Sequence, residues 1–279
     1  MTDIAFLGTG LLGSAFVEAA CGRGDRVAVW NRTTARAQPL ASFGARVCET
    51  AAAAVRGAER VHLVLQDDQS VGEVVEAIRD SLAPHAVIID HTTTRPDLTA
   101  ERSNRLNAAG VGYLHCPVFI GPVAARQSEG IIMVSGPEAL FEQVRPGLER
   151  QAARVEYFGA RPDLAATHKL IGNGILLSMT GVIADAFAVG AGAGLSATDA
   201  LRVLEFFNPG SVLASRGRKL AAEDYSATFE LTMARKDVRL MMETAGDRPL
   251  TMLPGLAARM DVQIAEGHGA LDIGVITAA

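Results

Sequence analysis

Cysteine, tryptophan and lysine are scarce in this chain: 279 residues hold three cysteines, one tryptophan and three lysines. Cys21, Cys48 and Cys116 are odd in number and stand in neither C-x-x-C nor Cys/His ligand spacing, so no disulfide framework, structural zinc or other metal site is expected. Charge of one sign is also lacking. With 26 basic and 31 acidic residues the formal net charge is −5, and no basic run reaches five, so no electrostatic footprint for nucleic acid or an anionic membrane is present. The expected partner is a small molecule. At 49% apolar and 20% charged, the composition excludes disorder and coiled coil and describes a globular chain of one or two domains. Met1-Thr2-Asp3 runs straight into an apolar strand pattern without a basic flank, so no secretory signal is expected and a reducing, cytoplasmic setting is.

Only one apolar run is long enough to raise the membrane question. Residues 170–195 carry a single charge, Asp185, over a length that would cross a bilayer. Asn173, Ser178, Thr180 and the glycines at 172, 174, 181, 190, 192 and 194 suit instead a helix buried between protein surfaces, and no membrane span is expected.

What is present is an alternation of short β-branched runs with amphipathic stretches over the first 160 residues. Strands are predicted at 4–7, 26–30, 60–65, 86–90, 112–115, 131–135 and 154–157. Helices are predicted at 11–21, 34–42, 50–55, 70–80, 96–108 and 137–151, the last with Pro137 at its first helical position. After Tyr157 the strand signals stop, and helices follow at 162–192, 196–206, 211–222, 231–245 and 253–266. The fold class expected is α/β: a Rossmann domain with a doubly wound, mostly parallel sheet over 1–160. A long central helix then joins it to an all-helical domain for substrate and dimerisation over 161–279.

Directly after the first strand stands Gly8-Thr9-Gly10-Leu11-Leu12-Gly13, which matches G-x-G-x-x-G and opens a helix. Gly8 permits the tight turn, Gly10 clears space for a pyrophosphate, Gly13 lets helix and strand approach, and the N–H groups at the helix start bind the anion. At the end of the second strand, where a carboxylate would bind a ribose 2′-hydroxyl, the chain has Asn31-Arg32-Thr33. A guanidinium there suits a 2′-phosphate, so NADP (NADPH) is expected in preference to NAD.

Lysine scarcity is informative at this point. Against 23 arginines, lysines stand only at 169, 219 and 236. Only an amine can shift its pKa far enough to exchange a proton near neutrality, so each of the three is a candidate for proton transfer. Lys169 has Asn173 one helical turn on, at i+4, so the two polar heads can converge on one substrate oxygen.

Read together, Phe6 to Gly13, Val29 to Thr33, Asp90-His91-Thr92-Thr93 with Pro96, Pro117-Val118 through Gly121, His168 to Asn173 and Lys236-Asp237 resemble the β-hydroxyacid dehydrogenase family. That family includes 3-hydroxyisobutyrate dehydrogenase and the glyoxylate and succinic semialdehyde reductases, and its cofactor domain is of the 6-phosphogluconate dehydrogenase type. The resemblance covers nearly the whole chain. It implies that Lys169 is the catalytic acid/base, with Asn173 beside it, in hydride transfer between a nicotinamide and a small carbonyl or hydroxy compound. It further implies that Leu65 and Gln66 border the cofactor ribose, that Thr92 and Thr93 sit beside nicotinamide and substrate, and that Lys236 reaches the cofactor from the helical domain.

The chain departs from the family in the substrate segment. Phe119-Ile120-Gly121 stands where members usually carry Ser-Gly-Gly, and two large apolar side chains make an unpaired substrate carboxylate costly. A similar apolar tract occurs in imine reductases, which usually lack Lys at position 169. An imine reductase acting on C=N, or a non-catalytic NADP-binding protein, therefore stands beside the carbonyl reductase as an alternative. His91 and His115 are expected to be strand-end histidines with satisfied hydrogen bonds. A homodimer is expected.

Overall fold

Alternate residues of the first strand face opposite ways, and both sets are apolar, the signature of a parallel sheet covered on both faces. In the computed structural model, which describes residues 3–278, Ile4 and Phe6 of β1 (Asp3–Leu7) pack into one core with Phe16, Val29 and Ile89. Ala5 and Leu7 pack into a second with Val61, Ile88 and Tyr113. α1 spans Leu11–Gly22, β2 Arg26–Trp30, β3 Arg46–Val47, α2 Ala51–Val55, β4 Arg60–Leu63, α3 Asp68–Ile78, β5 Val87–Asp90, α4 Pro96–Ala108 and β6 Gly112–His115. These six strands pair in parallel in the order β3-β2-β1-β4-β5-β6. Strand order reverses between β1 and β4, and ligands bind such sheets in the crevice outside the carboxyl ends at that reversal.

The later strands do not extend this sheet. β7 (Val118–Phe119), α5 (Pro122–Arg126), β8 (Ile131–Val134), α6 (Glu138–Leu148) and β9 (Arg154–Tyr157) build a separate three-stranded sheet, with β7 antiparallel and β9 parallel to β8. Pro137 is the residue before α6, not its first helical residue, and the expected helix at 34–42 is two short 3-10 turns, Thr34–Arg36 and Gln38–Phe43.

From Leu164 the chain is helical: α7 (Leu164–Gly192), α8 (Ala197–Leu201), α9 (Pro209–Ala221), α10 (Leu231–Ala245) and α11 (Leu253–Ala265). Two compact units divide between Asn173 and Gly174, inside α7. In the second unit Leu231, Ala234, Val238, Ala257, Met260 and Val275 form the core. α7 crosses α10 closely at Gly192, where a Cβ would collide with the Thr244 carbonyl oxygen. Asp185, the lone charge in the apolar run, accepts hydrogen bonds from the N–H groups of Thr251, Met252 and Leu253 at 2.6, 2.8 and 2.8 Å. It thereby caps α11 from another helix, and losing such a cap costs about 1–2 kcal/mol.

Candidate active site

Because the main sheet is parallel, β1, β4, β5 and β6 all deliver the residues after them to one edge. β1 delivers the glycine turn. Gly8 has φ +101°, and a Cβ there would strike the Val64 carbonyl; at Gly13 a Cβ would strike the Gly8 carbonyl. Neither reason applies to Gly10, whose φ is −69° and whose Cβ would meet nothing within 4 Å. The space beside Gly10 is open for a ligand. α1 begins there without a side-chain cap, its first intrahelical bond running from Ser14 N–H to Gly10, so the amides of Leu11, Leu12 and Gly13 have no intrahelical acceptor. Leu11 itself is 83% exposed. Thr9 serves the frame: its side chain is buried, and its N–H donates to Asn31 Oδ1 at 3.0 Å.

Asn31 also donates from Nδ2 to the Thr33 carbonyl at 3.0 Å, which ties the glycine turn to the loop after β2. Asn31, Arg32 and Thr33 line a cleft of about 660 Å³ together with Gly8, Gly10, Leu65 and Gln66. Trp30, Arg36, Thr50, Ser70 and Glu73 line it as well, and sequence reading missed them. A second arginine one turn after Arg32 was the available signal for Arg36. Open space at Gly10, an uncapped helix start and two guanidiniums on the β2 side fit the pyrophosphate and a phosphorylated ribose of a dinucleotide.

β5 delivers Thr92, which is buried; its Oγ1 accepts from Leu65 N–H at 3.1 Å and its own N–H donates to Asp90 Oδ1 at 2.9 Å. Thr92 thus fixes the Leu65 loop, while Thr93 is exposed. Asp90 also accepts from the Tyr113 hydroxyl at 2.6 Å, and Arg102 Nε donates to that hydroxyl at 3.0 Å. His91 Nδ1 lies 2.7 Å from the Cys116 carbonyl, so it carries the proton there and Nε2 accepts from His62 Nδ1 at 2.9 Å. His62 Nε2 is left to accept the Gln151 amide at 3.4 Å. Both rings are neutral, burial holding their pKa values below the usual histidine range. His91 is a satisfied strand-end histidine. His115 is not: fully buried, it has no partner for either ring nitrogen among the described residues.

After β6 the chain turns through Pro117 into β7, which presents Phe119. Ser135 sets the start of α7 by donating to the Pro162 carbonyl at 2.7 Å and accepting from Ala165 N–H at 3.2 Å. His168 stacks on Phe158 with centroids 4.3 Å apart. With the helix so fixed, the Lys169 ammonium stands over the Phe119 ring, 4.1 Å from its centroid. Gly172 makes this possible, since a Cβ there would collide with the Phe119 ring. Lys169 has neither a carboxylate nor a hydrogen-bond partner among the described residues, and desolvation holds its pKa below the usual lysine range. Asn173 is half-buried one turn on, with no hydrogen bond joining it to Lys169. Ile120 is half-buried and Gly121 exposed beyond β7. Lys236 belongs to α10 in the second unit, its Nζ 3.0 Å from Asp237 Oδ1.

A glycine turn that opens a helix at the reversal of a parallel 3-2-1-4-5-6 sheet is the site of a dinucleotide-binding oxidoreductase fold. Residues 3–159 match the family described as the NAD binding domain of 6-phosphogluconate dehydrogenase, and the chain belongs to that family. It is 26% identical to glyoxylate/succinic semialdehyde reductase 1 of Arabidopsis thaliana, over 99% of this chain and 98% of that one. Identity to the NADPH-dependent reductive aminase of Aspergillus oryzae is 24%, over 98% and 95%. Among solved structures, the imine reductase from Myxococcus stipitatus in complex with NADP+ matches with a TM-score of 0.87 at 20% identity, covering 99% of this chain and 98% of that one.

Proposed function

We propose that the chain is an NADP-dependent reductase of small carbonyl compounds in which Lys169 donates the proton to the carbonyl oxygen. The bound nicotinamide supplies the hydride that reaches the carbonyl carbon. The α1 amides hold the pyrophosphate, and Arg32 with Arg36 holds the 2′-phosphate, where a carboxylate at position 31 would have repelled it. Lys169 gives its proton to the oxygen as the hydride arrives, and Asn173 orients substrate and amine. The observation that carries this reading is the Lys169 ammonium over Phe119, unpaired with any carboxylate among the described residues and held below the usual lysine pKa by desolvation.

Phe119 and Ile120 favour a substrate with an apolar group beside its carbonyl over one with a free carboxylate there. The same apolar surface favours a second reading, C=N in place of C=O, since an imine presents no carboxylate to satisfy. A panel of aldehydes, ketoacids and cyclic imines, followed by NADPH oxidation, tests both readings. Turnover of apolar aldehydes or ketones supports the first, and turnover confined to imines the second. NADPH binding without turnover of any member would leave a non-catalytic binding protein.

A homodimer belongs to the same proposal. Along α7, Ile171, Ile175, Leu176, Leu177 and Val182 are exposed, more apolar surface than a lone chain ordinarily presents. Sedimentation at micromolar concentration should give twice the chain mass, and a monomer would contradict it. The three thiols are free, which suits the reducing, cytoplasmic setting proposed with it.

A further inference from the structure

The opposite edge of the main sheet, where the strands begin, carries a charge that the reaction does not use. Arg60 opens β4 and is only 8% exposed. Its guanidinium lies against α6 at Gly147, where a Cβ would collide with Nη1. Among the described residues it has no hydrogen-bond acceptor and no carboxylate within ion-pair distance. The nearby carboxylate of Asp25 is already shared, by Arg150 at 3.0 Å and Arg23 at 3.8 Å. At that distance Arg23 Nε is buried without a hydrogen-bond partner among the described residues. Arg60, Arg150, Glu59, Gln143 and Gly147 line a cleft of about 220 Å³. Gln143 is engaged, donating to the His85 carbonyl at 2.9 Å, and Glu59 is the one lining carboxylate that opposes an anion.

Two guanidiniums and one carboxylate therefore line a small open cleft, and Arg60, the more buried of the two arginines, has no protein acceptor among the described residues. A guanidinium with no protein acceptor keeps its N–H donors free for whatever occupies the cleft it lines. A guanidinium fork matches a tetrahedral oxyanion in bidentate geometry. We propose that this cleft is a second anion site, which takes a phosphate-sized oxyanion with Arg60 as its first donor and Arg150 as its second. The cofactor cleft reaches Val64 to Gln66 at the far end of the same strand, about 13 Å away at ~3.3 Å per residue, so the two sites are distinct. The volume leaves room for a few carbons, and the ligand is inorganic phosphate or a small phosphate monoester.

The test is calorimetric titration of the NADPH-saturated protein, whose front phosphate positions are filled, with inorganic phosphate and then with glycerol 3-phosphate at constant ionic strength. One saturable event per chain is expected, at least tenfold weaker in Arg60→Met and in Arg150→Gln. The second variant alters a side chain that is nearly half exposed and leaves the core intact. Arg32→Ala, which touches only the cofactor cleft, should leave the event unchanged. Tighter binding of the ester would identify an organic phosphate as the ligand, and tighter binding of the free ion inorganic phosphate. Absence of a saturable event, or equal binding in wild type and both variants, overturns the site.

Discussion

At the end of β2 the chain spends Asn31 on its own loop, while Arg32 and Arg36 line the cleft, and the proposed choice of NADP over NAD rests on those two guanidiniums. Arg32→Ala should weaken NADPH binding about ten- to a hundredfold, the loss of a charge-assisted bond, while NADH binding stays within about twofold. Fluorescence titration with both cofactors checks this, and equal weakening of the two would contradict it. Single residues were legible where chemistry is local. The glycine turn could be read because each glycine answers a nearby steric demand, or, at Gly10, none from the protein. Thr92 and His115 could not, because what decides them is distant in sequence. Thr92 is fixed by an amide 27 residues away, and His115 is defined by the partner it lacks.

Among the elements, the long periodic ones were readable and the shortest were not. β3 and β7 are two residues each, below the length at which a period declares itself, and α5 was missed although α2, equally short, was read from its alanine run. The strands at 131–134 and 154–157 were found, but pairing is long-range, and their separate sheet left no mark on local pattern. The buried histidines of β4, β5 and β6 give this layer a pH dependence whose sign can be worked out. Burial depresses the pKa of His62, His91 and His115 in the fold, to about 3 for His115, below the ~6.5 of the unfolded chain. Below pH ~6.5 the unfolded chain takes up protons that the fold refuses, so stability falls as pH drops, by about 1.4 kcal/mol per pH unit for each such group. His115→Leu removes one of the three and an unsatisfied polar side chain with it. Denaturant melts should find this variant more stable than wild type by about 1–3 kcal/mol at pH 7, with a shallower loss between pH 6 and 4. Lower stability with an unchanged acid slope would show that His115 has a hidden partner.

For the whole molecule, the sequence distinguished a sheet-bearing half from a helical one because the strand signals end at Tyr157. The compact units part later, within α7, since a continuous helix carries no breaker where packing changes sides. The first unit holds the cofactor cleft and Lys169 together, with the amine aimed by Ser135 and seated on Phe119 by the gap at Gly172. That arrangement makes proton donation by Lys169 the central claim, and it separates two quantities. Under the proposed function NADPH affinity rests on the glycine turn and Arg32, and the rate on the amine. The deciding measurement is single-turnover oxidation of bound NADPH by an accepted carbonyl substrate, followed by stopped flow from pH 6 to 10. In wild type the rate should fall with rising pH as Lys169 loses its proton, with a midpoint below that of an ordinary lysine. Lys169→Met and Lys169→Arg should both lose about 10²- to 10⁴-fold with NADPH affinity nearly intact, because arginine keeps the charge but cannot give up a proton. If Lys169→Arg instead reacted within about fivefold of wild type and kept its pH profile, the residue would be an electrostatic anchor, and the account of proton transfer would be wrong.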